Sequence, residues 1–155
     1  MKNLILTSLA TFALAAFASA GELVNVDKHG LALQGYDPVG YFTESRPVEG
    51  NPSFSTTYKG ALYHFASSRN RALFLRNPAK YEPQFGGFCG YAASIDTISE
   101  ISPHYWQILN GRLVLQHNQK AWNLWTRDVA GNLAKADGNW PHLKAHQLSW
   151  IDRIF

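Results

Sequence analysis

An α+β fold follows from three observations in the chain. Two turn pairs, Lys59-Gly60 and Asn110-Gly111, each sit between β-rich runs and predict two hairpins. Cap signals at Ser67 or Ser68 and at Asn77-Pro78 predict short helices beside the first hairpin. After the second, Trp122, Trp125, Val129, Leu133 and Ala136 recur at helical spacing. Hairpins plus two or three helices make an α+β domain.

The N-terminus reads as a signal peptide over residues 1–20. Met1-Lys2-Asn3 is a positive start, 4–17 is apolar, and Ala18-Ser19-Ala20 is an A-x-A cleavage site. The apolar run is too short to favour a permanent span, so no stable membrane insertion is expected once it is removed. A periplasmic or secreted location follows. The remaining 135 of 155 residues suit a single domain over 21–155. No internal repeat or low-complexity stretch is legible.

Residues 21–30 are a lead-in, and 31–33 predict a short strand. In "YDPVGYF" (36–42), Asp37 is an N-cap with Pro38 at the first helical position, and Gly40 limits the helix to about one turn. The first hairpin pairs 54–58 with 61–67. Alternation puts Tyr63 and Phe65 on one face and Leu62, His64 and Ala66 on the other. Helices at 69–76 and from Pro78 follow. The second hairpin runs from 106–109 to 112–115. A helix over 119–136 follows it, weakened mid-way by Gly131, and Pro141 closes the next segment.

With 14 Lys+Arg against 11 Asp+Glu and no basic run longer than two, the surface has no nucleic-acid footprint. One cysteine makes no internal disulfide. Aromatics reach 14%, which suits an aromatic core or an aromatic-lined pocket.

"GYDPVGYF", "YKGALYHFASSRNRALFLRNPAKYEPQFGGFCGYA", "W-x-I-x-x-GRL" and "W-x-x-D-x-x-GNLAKADGNWP" occur in that order between about Asn25 and His142. Together they resemble the exported YHS-domain proteins of bacteria. The resemblance implies a small treble-clef-like core of β-hairpins and short helices with a C-terminal helix. Tyr63, His64 and Ser67 are the counterparts of the three residues in the domain's name. It also implies a metal, because related YHS domains bind metal through cysteines. Their pattern has one cysteine after Asp-Pro-Val and a Cys-x-x-x-Cys after the second hairpin strand. Here Gly40, Ala66 and Asn70 stand at those positions. Without thiolates there, a site for soft metals does not carry over.

Cys89, in "QFGGFCGY" (84–91), therefore has three readings: a buried small hydrophobe, a reactive thiol, or a metal ligand with a histidine partner. Its flanking glycines permit positive φ or close approach of another element. His142 and His146, at i and i+4, would share one face of a helix as in a zinc site, but with Pro141 and the chain end beside them and no third ligand evident they read as surface histidines of an exposed tail. No phosphate loop, papain-type cysteine signature or paired carboxylates for hydrolysis appear. A binding module is thus favoured over an enzyme. Its expected ligand is a transition metal, copper first by resemblance, or a small molecule near Cys89. The candidate ligand-binding residues are Cys89, His64, Tyr63 and Tyr91, with Cys89 and His64 as the metal pair. A single-cysteine thiol redox protein and a structural or interaction protein with an inert Cys89 are the alternatives.

Overall fold

The structure, a computed structural model, describes residues 22–151. The predicted signal peptide lies outside them. Among the described residues no helix is long and apolar enough to cross a membrane. The fold is α+β: among the described residues, two antiparallel hairpins, β1 (Asn51–Tyr58) with β2 (Ala61–Phe65) and β3 (Ser102–Leu109) with β4 (Arg112–Gln116), are surrounded by six α-helices.

Both predicted turns form. Lys59 and Gly60 have φ of 51° and 80°, and Asn110 and Gly111 have 52° and 75°. Positive φ at both central residues gives a type I′ turn, whose twist matches the strands it joins. β1 and β3 begin earlier than their β-rich runs, on the far side of a bulge. Each bulge carries a proline, Pro52 or Pro103, at a place where a missing N–H costs no ladder bond. In β2 the alternation is as predicted: Ala61, Tyr63 and Phe65 are buried while Leu62 and His64 are half-buried.

Two of the short helices are capped by side chains. Ser67 accepts the Asn70 N–H at the start of α2 (Ser68–Arg76), and Asn77 accepts the Lys80 N–H at the start of α3 (Pro78–Tyr81). Asp37 accepts the Val39 N–H at 2.8 Å, but it is not an N-cap as expected: α1 (Gly40–Thr43) starts at Gly40 with Val39 at its N-cap, so Pro38 precedes the helix. α4 (Gly90–Ser94) follows Cys89.

Four more expectations are corrected. Residues 31–33 form isolated bridges, Leu31 to Leu62 and Ala32 to Val26, before a 3₁₀ turn; Leu33, Gln34 and Gly35 all take positive φ, which ends any strand. The 119–136 helix is two helices, α5 (Gln119–Trp125) and α6 (Val129–Ile151). Asn132 donates to the Leu124 and Trp125 carbonyls that end α5, and Asp128 accepts the Gly131 N–H that starts α6. Both ends are thereby satisfied, which stabilises the break. Pro141 lies inside α6 rather than closing it. The turn around it is held from outside by Asn139, whose amide donates to the Ala93 and Ser94 carbonyls of α4.

The fourth of these is a repeat. Adding 51 to the pairs Asn51–Phe65, Ser55–His64 and Tyr58–Ala61 gives Ser102–Gln116, Trp106–Leu115 and Leu109–Arg112, the pairs of the second hairpin with the same bulge. The caps Ser67 and Asn118 differ by the same number. Upstream the offset is 52. The bridge Leu31–Leu62 becomes Pro83–Leu113, and the bond from Ala32 N–H to the Leu62 carbonyl becomes one from Gln84 N–H to the Leu113 carbonyl. The positive-φ run Leu33-Gln34-Gly35 becomes Phe85-Gly86-Gly87. One unit (turn, short helix, bulged hairpin, capped helix) is therefore built twice, over 31–76 and 83–125. α6 has no counterpart in the first unit.

β4 is buried on both faces. Leu113 and Leu115 join a core with Val39, Tyr41, Tyr63, Phe65, Phe74 and Cys89. Val114 joins a second core with Phe85, Trp125, Ala136 and Leu143 under α6.

Candidate functional site

Cys89 is 1% exposed, and it lies beside β4 through a bridge to Leu115. The glycines before it serve both purposes predicted for them. Gly86 and Gly87 take φ of 58° and 80°. The Gly86 carbonyl accepts the Asn25 N–H at 2.8 Å, and a Cβ on Gly86 would collide with the Leu23 carbonyl. Gly90, after the cysteine, lets α4 sit on β4: a Cβ there would lie 2.6 Å from Val114 Cγ1.

The thiol is hydrogen-bonded. Its Sγ–H donates to Gln116 Oε1 at 3.3 Å, and the same oxygen accepts the Tyr91 N–H at 2.9 Å. Burial pushes the Cys89 thiol above its ordinary pKa, against a smaller opposing effect from the N–H groups of Ala92, His117 and Tyr91. A thiol held protonated is a poor nucleophile and a poor metal ligand. Gln116, 1% exposed, leaves its Nε2 without a partner among the described residues.

The first unit has a carboxylate at the corresponding place. Asp37 is fully buried. Besides Val39, it accepts the Ala66 N–H at 2.8 Å and the Asn70 side-chain amide at 2.7 Å. These three bonds tie the Asp-Pro-Val turn to the end of β2 and the start of α2. They also fill the place of the cysteine site that the YHS resemblance implies. Gly40 packs under Val48, where a Cβ would lie 2.9 Å from Cγ2. Ala66 offers no donor atom, and the Asn70 amide nitrogen is committed to Asp37. The residues present do not fit a thiolate-bound metal. Among the described residues, no group of three or more His, Cys, Asp or Glu is placed to hold a metal ion.

Of the sequence-predicted residues, Tyr63 and Cys89 meet in one core, with Tyr91 packed half-buried against it. Burial raises the Tyr63 hydroxyl far above its usual pKa. His64 is not with them. It points from the other face of β2 toward Gly35 and Gly50, with its Nδ1 3.9 Å from the position of a Cβ on Gly35.

A cleft opens elsewhere, between the hairpin-1 turn, the 82–86 segment, β4 and α6. It has a volume of about 210 Å³. Tyr63 lines it, together with Phe85 and Trp140, whose rings meet edge to face at 6.0 Å. Two cation–carboxylate pairs border these rings. Lys59 Nζ donates to both oxygens of Glu82, at 3.2 and 2.9 Å. The Arg112 guanidinium donates through Nη1 to Asp137 at 2.9 Å, again through Nη2, and through Nε to Gln84 at 2.9 Å. It also lies over the Phe85 ring, 5.9 Å from its centre.

Sequence reasoning did not single out Lys59, Glu82, Arg112, Asp137 or Trp140. Lys59 precedes the first turn glycine and Arg112 follows the second, so the two do not correspond in the repeat, where Lys59 matches Asn110 and Arg112 matches Ala61. Their partners lie 23 and 25 positions away and carry no motif.

A family model described as "YHS domain" matches residues 39–84, which span α1, the first hairpin, α2 and α3. The match covers most of the first unit, the segment after it and the first two residues of the second. No curated protein and no solved structure matches the chain.

Proposed function

We propose, from the YHS domain at residues 39–84, that the chain is an exported binding module for a small organic molecule held in the cleft of Tyr63, Phe85, Trp140, Lys59 and Arg112. One observation carries this reading: two ion pairs flank an aromatic floor in a single cleft. A planar or apolar face of a ligand packs on Trp140 and Phe85, while polar ends exchange hydrogen bonds with the paired charges. The free lone pairs of Glu82 and Asp137 accept, and the remaining Arg112 N–H groups donate. A ligand carrying both donor and acceptor ends fits this alternation better than a simple anion. The N-terminal segment supports the exported location.

The metal form of the reading, with copper at Cys89 and His64, has weaker support. It requires the thiol to leave Gln116 and lose its proton against a burial-raised pKa, and His64 faces away from that core. The thiol redox form meets the same barrier. An inert, hydrogen-bonded Cys89 accords with the packing.

A ligand-observed NMR screen of small polar fragments against the purified protein tests the proposal. Fragments should bind, and their signals should be lost in Trp140→Ala and Arg112→Ala but kept in His64→Ala. Binding that survives both cleft substitutions, or no binding at millimolar fragment, refutes it.

A further inference from the structure

The exposed side of α6 carries two histidines that neither the YHS match nor the cleft uses. His142 and His146 are four residues apart on a continuous helix, and both are exposed. Residues at i and i+4 stack on one helix face. The rings lie 6.2 Å apart between centroids, with planes inclined by 36°. They share a depression of about 230 Å³ with Asp96, Thr97 and Ile98, the turn after α4. Leu143, between them in sequence, is buried beneath α6, and α4 packs against this helix. The backbone under the pair is therefore supported by the core. This is no longer the exposed tail that the sequence suggested.

We infer that His142 and His146 form a two-imidazole chelate for a late first-row divalent cation of the Cu²⁺, Ni²⁺ or Zn²⁺ class. Metal–imidazole bonds of about 2.0–2.1 Å span two rings at this separation through side-chain rotation alone. Imidazole nitrogen suits these borderline cations and discriminates against Mg²⁺ and Ca²⁺, which prefer oxygen. With two protein ligands the other positions are left to solvent. Asp96, on the rim of the same depression, adds a negative charge beside the cation. The site is separate from Cys89 and from the positions of Gly40, Ala66 and Asn70.

Isothermal titration of the untagged full chain with Cu²⁺, Ni²⁺ and Zn²⁺ tests it. One equivalent of metal should bind with the affinity order Cu²⁺ above Ni²⁺ and Zn²⁺. His142→Ala and His146→Ala should each weaken binding by at least about tenfold, and Cys89→Ser and His64→Ala should leave it unchanged. His142→Gln with unaltered circular dichroism separates lost ligation from lost helix. No binding by the unmodified chain, or binding in both alanine variants as tight as in the unmodified chain, overturns the inference. Loss on Cys89→Ser does so as well. Fragment binding in the cleft is read separately, so each proposal fails on its own measurement.

Discussion

The Asp37 carboxylate and the Cys89 thiol hold the same place in two copies of one structural unit. The Asp37 N–H donates to the Val48 carbonyl at 2.8 Å, and the Cys89 N–H donates to the Ser99 carbonyl at 3.0 Å, 51 positions on from Val48. The Asp37 side chain accepts the Ala66 N–H, and the N–H of His117, again 51 positions on, acts on the Cys89 sulfur. Each residue ties the entry of a short helix to the end of a hairpin. The carboxylate does so with three strong acceptor bonds. The thiol does so with one weak donor bond and close packing.

Asp37→Ala should destabilise the protein by about 3–5 kcal/mol. It leaves the Ala66 N–H and the Asn70 amide buried without acceptors, and each such group costs about 1–3 kcal/mol. Urea unfolding measures the loss. A change below about 1 kcal/mol would show that the three bonds add nothing.

Cys89 should not react with iodoacetamide in the native protein at pH 8 and should react fully in denaturant. Stability should also fall at alkaline pH. A group whose folded pKa is raised holds its proton in the native state while the unfolded state has lost it. The unfolding free energy therefore declines once pH passes the unfolded thiol value, about 8.5. Tyr41 and Tyr63, whose pKa values are also raised by burial, add to the decline only above the ordinary tyrosine value of 10.0. Cys89→Ala should flatten the slope between about pH 8.5 and 10 and leave the steeper loss above it. An unchanged slope in that window would assign the effect elsewhere.

Gly86→Ala should cost far more than Gly111→Ala, although both glycines have positive φ. A Cβ on Gly111 meets nothing within 4 Å, so its cost is the left-handed backbone alone, about 1–2 kcal/mol. At Gly86 the same penalty adds to a collision with the Leu23 carbonyl, and the lead-in over 23–25 must move. Paired thermal denaturation decides it: equal losses would mean that the lead-in is not docked.

Arg112→Ala should barely change stability, by less than about 1 kcal/mol, because the ion pair with Asp137 is solvent-exposed. Fragment binding in the cleft should nonetheless disappear. Loss of fold, seen by circular dichroism, would instead make Arg112 a structural residue.

Turns, caps and β2 alternation were legible in the sequence because each is decided within about four residues. Asn110-Gly111 specifies its turn wherever it occurs, and Ser67 and Asn77 satisfy N–H groups three positions on. The break before α6 was not legible. The spacing from Trp122 to Ala136 continues across it, and the break is stabilised by Asp128, just before α6, and by Asn132, in the first turn of α6.

The sequence by itself determined the α+β class, the two hairpins, the YHS likeness and the absence of cysteines from the positions at Gly40, Ala66 and Asn70. Only the tertiary structure decided that the unit is built twice. NPSFSTTYKGALYHF and SPHYWQILNGRLVLQ share a proline, a turn glycine and a leucine, yet they trace one backbone path. Bulge and turn fix that path, and the remaining side chains adapt to two different cores. Tertiary structure likewise settled what surrounds Cys89. Its partner Gln116 lies 27 residues away, and no local pattern encodes a contact that forms only when β4 is buried on both faces.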